Sequence, residues 1–327
     1  MSKELKLKLS KISLKENDFK FGLELGNEAG YETNAKEYYT RALIGENSFR
    51  SKVRILPNVK DREKLGSVTM KSMIKSADCD FDPSDTKINQ KVFEVCPLMA
   101  GTEICIESLE ASFVADQLAQ GANNYSDKGA FMNFFYQTLA DTIQEELEYL
   151  TFRGDTEEAS YTGDTAYLKT CDGLEKTLSE SDDTIKSVSA STVNASNIID
   201  KLKEARDLTP QAVRNKADYR LIVSRNVAEV YADKVALSSP LAFYNAGDKE
   251  LKFQGIPLVI AEGASDDTIL AGQLSNFSFA TDLMSDEGNF TVVDFLKTTL
   301  DRKIGVRTDL KFGVDVIKAD EVFVHIV

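Results

Sequence analysis

The chain has 327 residues, 42% hydrophobic and 28% charged, with a net charge of −14, enough length for two domains and a sizeable core. No run of about 18 apolar residues occurs, so a membrane span is not expected. The opening MSKELKLKLSKISL alternates Lys with Leu and lacks the apolar stretch of a secretory signal, which makes a cytoplasmic origin the default expectation.

The charge is uneven. Residues 1–75 carry 16 Lys/Arg against 10 Asp/Glu, net +6, and the remainder 23 against 43, net −20. So acidic a body is poorly suited to gripping DNA phosphates. The basic segment either pairs with neighbouring copies or is solvated surface. Cys79, Cys96, Cys105 and Cys171 lack metal-binding spacing, and His325 is the only histidine. Four reduced cysteines and no metal site are therefore expected.

In chain order, residues 1–48 are polar and weakly periodic, with a short helical candidate at Asn34–Leu43, and read as an extended arm without a core. Two β-like runs follow, Ser51–Leu56 and Ser67–Ile74, on either side of the charged turn Asp61-Arg62-Glu63-Lys64. Val68, Met70, Ser72 and Ile74 share one face at period two, which predicts a strand covered on one side. A hairpin alone is marginal, so it is expected to lie on something else. The acidic stretch Asp78–Asp85 resembles a calcium loop only superficially: Pro83 stands where the turn glycine belongs and Asn89 where the bidentate glutamate belongs.

Lys91–Glu107 reads as strand and Ser108–Gln120 as a short helix. A long amphipathic helix is predicted over Lys128–Arg153, with Phe131, Phe135, Leu139, Ile143, Leu147 and Leu150 recurring every three or four residues. Its other face is acidic, with Asp141, Glu145, Glu146 and Glu148 expected in solvent. A turn at Thr170–Leu174 follows, then a helix over Asn194–Leu208 with Ile198, Ile199, Leu202 and Ala205 inward. Thr209-Pro210 opens a short helix with proline at its first position. Tyr219–Val223 is a buried strand, and Ser224 caps a helix through Val235. Leu251–Ala261 is strand broken by Gly255-Ile256-Pro257. Thr268–Ala271, Asn276–Thr281 and Phe290–Val293 are strands, Phe295–Val306 is helix or strand, and the tail is β-rich. Without strict βαβ alternation the class is α+β.

Catalytic patterns are missing. Glu145, Glu146 and Glu148 lie on the polar face of a helix, not across a cleft. His325 has no partner readable from sequence, and no GxSxG elbow, phosphate loop or GxGxxG turn occurs. An enzyme is not expected, and neither is a cofactor.

The order of elements resembles the major capsid protein of tailed bacteriophages, the family with the Hong Kong 97-like fold. The helix ending in Glu148-Tyr149-Leu150-Thr151-Phe152-Arg153-Gly154-Asp155 is similar to the family's spine helix. Asp172-Gly173-Leu174 resembles the opening of the axial domain, and Tyr219–Asn226 its strand and helix cap. Gly255-Ile256-Pro257-Leu258-Val259 resembles the Gly-x-Pro strand, and Ile269–Gly272 with Phe277–Leu283 the next two strands. Phe290–Lys318, with Arg307 inside it, resembles the returning peripheral segment. Residues 95–327 carry the likeness well, and 1–94 carry it by position and character.

The resemblance implies an N-terminal arm (1–48) and an extended β-hairpin loop (49–90). It further implies a peripheral domain (91–168 and 288–317) built on spine helix 128–153, and an axial domain (169–287 and 318–327). It implies a phage or prophage capsid protein that assembles with itself into hexamers and pentamers, forming an icosahedral shell around double-stranded DNA. Portal, scaffold or maturation protease and decoration proteins are the further partners implied. The location implied is the virion capsid, after assembly in the host bacterial cytoplasm. The alternatives are an encapsulin-type compartment shell and, from another class, a soluble hydrolase with a dispersed active site. Arg50, Lys52, Arg54, Arg62 and Lys64 are the expected intersubunit contacts, meeting carboxylates on a neighbour.

Overall fold

The computed structural model describes residues 48–70, 73–74, 86–105, 128–238, 251–282, 290–295, 301 and 303–327. The helical candidates Asn34–Leu43 and Ser108–Gln120 and the acidic stretch Asp78–Asp85 lie outside these residues. The described strands are β1 (Arg54–Pro57), β2 (Arg62–Met70), β3 (Thr86–Glu94), β4 (Cys96–Cys105), β5 (Ile185–Lys186), β6 (Tyr219–Ser224), β7 (Lys252–Phe253), β8 (Ile256–Ala261), β9 (Ile269–Gln273), β10 (Phe277–Thr281), β11 (Phe290–Asp294), β12 (Lys303–Val316) and β13 (Phe323–His325). The helices are α1 (Lys128–Arg153), α2 (Leu174–Glu180), α3 (Ile198–Leu208), α4 (Gln211–Arg214) and α5 (Arg225–Ser238). Of the described residues, those within 99–137 and 287–309 form one compact unit, and those within 48–98, 138–286 and 310–327 the other.

In the larger unit a six-stranded sheet runs β5-β13-β9-β6-β8-β7. β6 lies inside it, parallel to β8 and antiparallel to β9. Leu221, Ile222 and Val223 are all buried, the continuous apolar run expected of a strand covered on both faces. Ile198, Leu202 and Ala205 of α3 and Val227, Ala228 and Tyr231 of α5 join the same core. Ile199 does not: it is exposed, so the inward stripe of α3 is 198, 202 and 205. Ser224 accepts a hydrogen bond from the Val227 N–H at 3.3 Å and caps α5 as predicted. Pro210 sits at the N-cap of α4, one residue earlier than expected. The break before β8 is Gln254-Gly255, both at positive φ, so Ile256 and Pro257 already belong to the strand. The terminal strands β5 and β7 have two residues each, which leaves little edge to template other chains.

A second sheet of this unit places β1 parallel to β10 (Arg54↔Ser278 to Pro57↔Thr281) and β10 antiparallel to the last part of β12. Phe277, Phe279 and Phe312 are fully buried there. The sequence-based hairpin is corrected here. β2 pairs with β3 over nine positions, from Arg62↔Glu94 to Met70↔Thr86. The run at 51–56 contributes only β1, whose partner is distant in sequence. Asp61–Lys64 is not the turn, since Arg62 onward is already strand. The true partner of β2 lies beyond residues 71–85, too far for a local turn signal to announce. Leu56, Val59, Phe93, Val95 and Ala280 form a buried cluster at the root of this hairpin.

In the smaller unit β11 pairs antiparallel with the first part of β12, Phe290↔Thr308 to Asp294↔Ile304. The ambiguous stretch Phe295–Val306 is strand from Lys303 onward.

Two cysteines depart from the expected reduced state. Cys96 and Cys171 form a disulfide with a Cα–Cα distance of 6.0 Å, across a sequence separation of 75. Compartment and spacing could not signal it, because the pair exists only once the start of β4 meets the turn before α2. In the chain-entropy view a loop this long is worth about 4 kcal/mol.

Close backbone approach fixes the end of α1. A Cβ on Gly173 would lie 2.6 Å from the Phe152 carbonyl, and one on Gly263 only 2.1 Å from the Glu148 carbonyl. Both obstacles are helix backbone and cannot swing aside. Gly263→Ala is expected to lower stability by roughly 1–3 kcal/mol or more through overpacking, read as an earlier urea midpoint at unchanged m. Gly66→Ala is the control, because nothing lies within 4 Å of its Cβ position.

Candidate interaction surfaces

The hairpin face follows from strand geometry. Residues directly opposed in an antiparallel pair share a face, and alternate residues along each strand stay on it. Val68 therefore lies with Ile88, Met70 with Thr86, and Lys64 with Val92. Val68, Met70, Ile88 and Val92 are 50, 56, 68 and 44% exposed. The opposite face, by contrast, turns Phe93 into the root cluster, with Leu65 packed against it. The face predicted to be covered is thus open in the single chain, and four apolar side chains on it meet solvent. Arg62 and Glu94 close it at one end with an exposed 3.0 Å ion pair, of the kind that adds little stability.

A different chemistry holds the segment leading into β1. Ser48 accepts from the Ser51 N–H at 3.3 Å and starts a short 3-10 turn over Phe49–Lys52. The Phe49 N–H donates to Glu148 Oε1 at 2.9 Å. Arg50 Nη2 donates to the Gln144 carbonyl at 3.1 Å, and Arg50 Nε lies 3.6 Å from Glu148 Oε2. Arg50 is 0% exposed, with its guanidinium 5.9 Å from the Phe279 ring centre. The Phe49 ring meets Phe152 at 5.0 Å and Phe277 at 5.8 Å.

This corrects two expectations. Glu148 is buried at 6% exposure, whereas Glu145 and Glu146 are exposed as predicted. It lies one turn before Phe152 on the same side of α1, where the 48–52 segment covers the helix. Arg50, expected to reach a neighbour's carboxylate, spends its charge inside its own chain. Burial pushes the Glu148 carboxyl up, against the pull of Arg50 and the Phe49 N–H. Burial likewise lowers Arg50 to about 10, with Glu148 opposing. Both shifts favour the uncharged forms, so the pair offsets a desolvation cost and is not a strong net gain.

The other four predicted contacts, Lys52, Arg54, Arg62 and Lys64, are exposed. Arg62 and Lys64 lie on the open hairpin face, and Arg54 lies on β1. His325 is buried, and its Nε2 lies 3.1 Å from the Ser191 carbonyl. Burial pushes its pKa down, with nearby Lys201 adding to the effect. Ser187 donates to Glu204 at 2.9 Å, and Ser196 donates to Asn194, so both are engaged in local structure.

No family model matches the chain, and no curated protein matches it by sequence. Solved structures do match. One is a chain of the satellite phage P4 procapsid, a structure that includes the size determination (Sid) protein. It is 12% identical with a TM-score of 0.57, over 91% of this chain and 98% of that one. The capsid of a native GTA particle is 14% identical with a TM-score of 0.57, over 86% of this chain and 90% of that one. A virus-like particle from Pyrococcus furiosus is 8% identical with a TM-score of 0.52, over 90% and 99%. The chain has the Hong Kong 97-like capsid fold, of α+β class.

The buried pair makes an unequal demand on its two members. Glu148→Leu, which strands the Arg50 charge, is expected to cost roughly 3–5 kcal/mol. Arg50→Met with Glu148→Leu removes both charges and is expected to be far less damaging, from neutral to slightly stabilising. Urea unfolding of the single and double variants measures the difference.

Proposed function

We propose that this chain is a shell-forming structural protein, the major capsid protein of a phage or prophage. Its copies would assemble into hexamers and pentamers that close around double-stranded DNA. The observation that carries this reading is a fold shared over about nine tenths of the chain with phage procapsid and capsid proteins. The open apolar hairpin face supports it, because a two-stranded ribbon gains most of its stability from what it lies against. The acidic body, net −20 over residues 76–327, suits a wall that duplex DNA does not stick to. In this reading residues 91–168 and 288–317 are the peripheral domain, and 169–287 with 318–327 the axial domain. Val68, Met70, Ile88 and Val92 are covered by a neighbour, and Lys52, Arg54, Arg62 and Lys64 face its carboxylates. Portal, scaffold or maturation protease and decoration proteins would be the further partners, with assembly in the host cytoplasm and the virion as destination.

A compartment shell of the encapsulin type is the second reading, favoured by the likeness to the Pyrococcus furiosus virus-like particle. The contents separate the two: nuclease-protected duplex DNA marks a capsid, and an enclosed protein marks a compartment. A hydrolase gains no support from the likenesses to capsids and a virus-like particle.

Negative-stain microscopy of the purified chain over a concentration and salt series is expected to reveal shells, tubes or rings. A strictly monomeric chain, even when co-expressed with its genomic neighbours, would sink the proposal. Val68→Lys with Ile88→Glu, an opposed pair of opposite sign on side chains already in solvent, is expected to abolish particles while moving the monomer's melting temperature by no more than about 2 °C. Arg54→Glu with Arg62→Glu is expected to reduce particle yield in the same way, scored by counting particles per unit protein.

A further inference from the structure

The disulfide joins two places that are already held without it. On one side, Gly173 N–H donates to the Gly154 carbonyl at 2.7 Å and Asp155 N–H to the Leu168 carbonyl at 2.9 Å. Lys176 bridges Asp155 at 2.7 Å and Asp172 at 3.2 Å, which pins the turn carrying Cys171 to the end of α1. On the other side, Val95 N–H donates to the Asp61 carbonyl at 3.1 Å, while Phe93 and Val95 are buried at the hairpin root. β12 joins the two sides, since a Cβ on Gly313 would lie 2.5 Å from the Glu94 carbonyl and the adjacent Phe312 carbonyl meets Cys171, so the folded backbone brings the two sulfurs together. Cys171 is buried, its sulfur 3.5 Å from the Phe312 carbonyl, whereas Cys96 is partly exposed.

We propose that Cys96 and Cys171 are an oxidative modification site, a latch left open in a reducing compartment and closed on the folded chain by a small disulfide. The exposures set the order of events. The Cys96 thiolate, the reachable one, attacks a sulfur of the small disulfide and expels one small thiolate. The Cys171 thiolate then attacks the Cys96 sulfur of the mixed disulfide and expels the second. The two cysteine protons end on the two released thiolates. Two protein thiols are oxidised by two electrons, and one small disulfide is reduced to two thiols. Closure ties the hairpin root covalently to the end of α1, fixing the direction in which the hairpin leaves the body. The latch belongs to the single chain and stands whether or not the chain forms shells.

The test uses the full chain with Cys79→Ser and Cys105→Ser, expressed in a reducing cytosol. Cells lysed into N-ethylmaleimide are expected to yield both Cys96 and Cys171 alkylated. After incubation with oxidised glutathione, mass spectrometry is expected to find the Cys96–Cys171 linked peptide. The melting temperature should rise by roughly 5–10 °C, and dithiothreitol should reverse the rise without changing the circular dichroism. Cys96→Ser and Cys171→Ser should each abolish the dithiothreitol-dependent shift. A linked peptide already complete in the trapped lysate would overturn the proposal. So would thiols that stay alkylatable in oxidised glutathione, or an undiminished shift in either serine variant.

Discussion

A buried guanidinium is tolerated only where an opposite charge and hydrogen bonds meet it, because its transfer from water costs several kcal/mol. Arg50 meets that condition only in part: Glu148 lies 3.6 Å away and Nη2 donates to the Gln144 carbonyl, while Nε and Nη1 are buried without a hydrogen-bond partner. The contact is more than an ion pair. Glu148 also accepts the Phe49 N–H, so the same carboxylate fixes both the backbone and the side chain of the incoming segment. With Phe49 set between Phe152 and Phe277, β1 has one place to go, beside β10. The hairpin β2–β3 begins five residues after β1 ends, so its root inherits that position.

The same helix end is gripped elsewhere by backbone. Gly173 and Gly263 approach the Phe152 and Glu148 carbonyls too closely for any side chain. Glu175 extends this grip by accepting from the Ser265 N–H, the Ser265 hydroxyl and the Thr268 hydroxyl at 2.6–2.8 Å, which ties the loop after β8 to α2. Side-chain charge on one side and missing Cβ atoms on the others hold the last turns of α1. The last turns of α1, a helix roughly 39 Å long, are thus fixed by side chain and backbone together.

Much of this was legible in the sequence where the signal is local. The apolar period of α1 and its Gly-Asp ending set both bounds, and β6 followed by Ser224 gave a strand and a cap at the right residues. What could not be read was non-local. β2 and β3 find each other across residues 71–85, and β1 leaves for a partner more than 200 residues away. Glu148 was misplaced because a glutamate beside Glu145 and Glu146 looks solvated until the covering segment is known. Arg50 failed for the matching reason. Of a run of cations at 50–64, nothing local marks the one that turns inward. The Cys96–Cys171 pair likewise needed the fold before its spacing meant anything.

With Arg50 buried, Lys52, Arg54, Arg62 and Lys64 are the predicted contact residues that stay exposed. Arg62 and Lys64 border the apolar strip of Val68, Met70, Ile88 and Val92. Exposed ion pairs contribute little by themselves, while burying the half still exposed of each of four apolar side chains contributes roughly 1 kcal/mol apiece. Were a second surface to cover that face, the apolar strip would supply most of the affinity and the bordering charges would set register. A ribbon with one face anchored at its root and the other offered to solvent is stable as a pair of strands only to the extent that its own body, and then another surface, covers it.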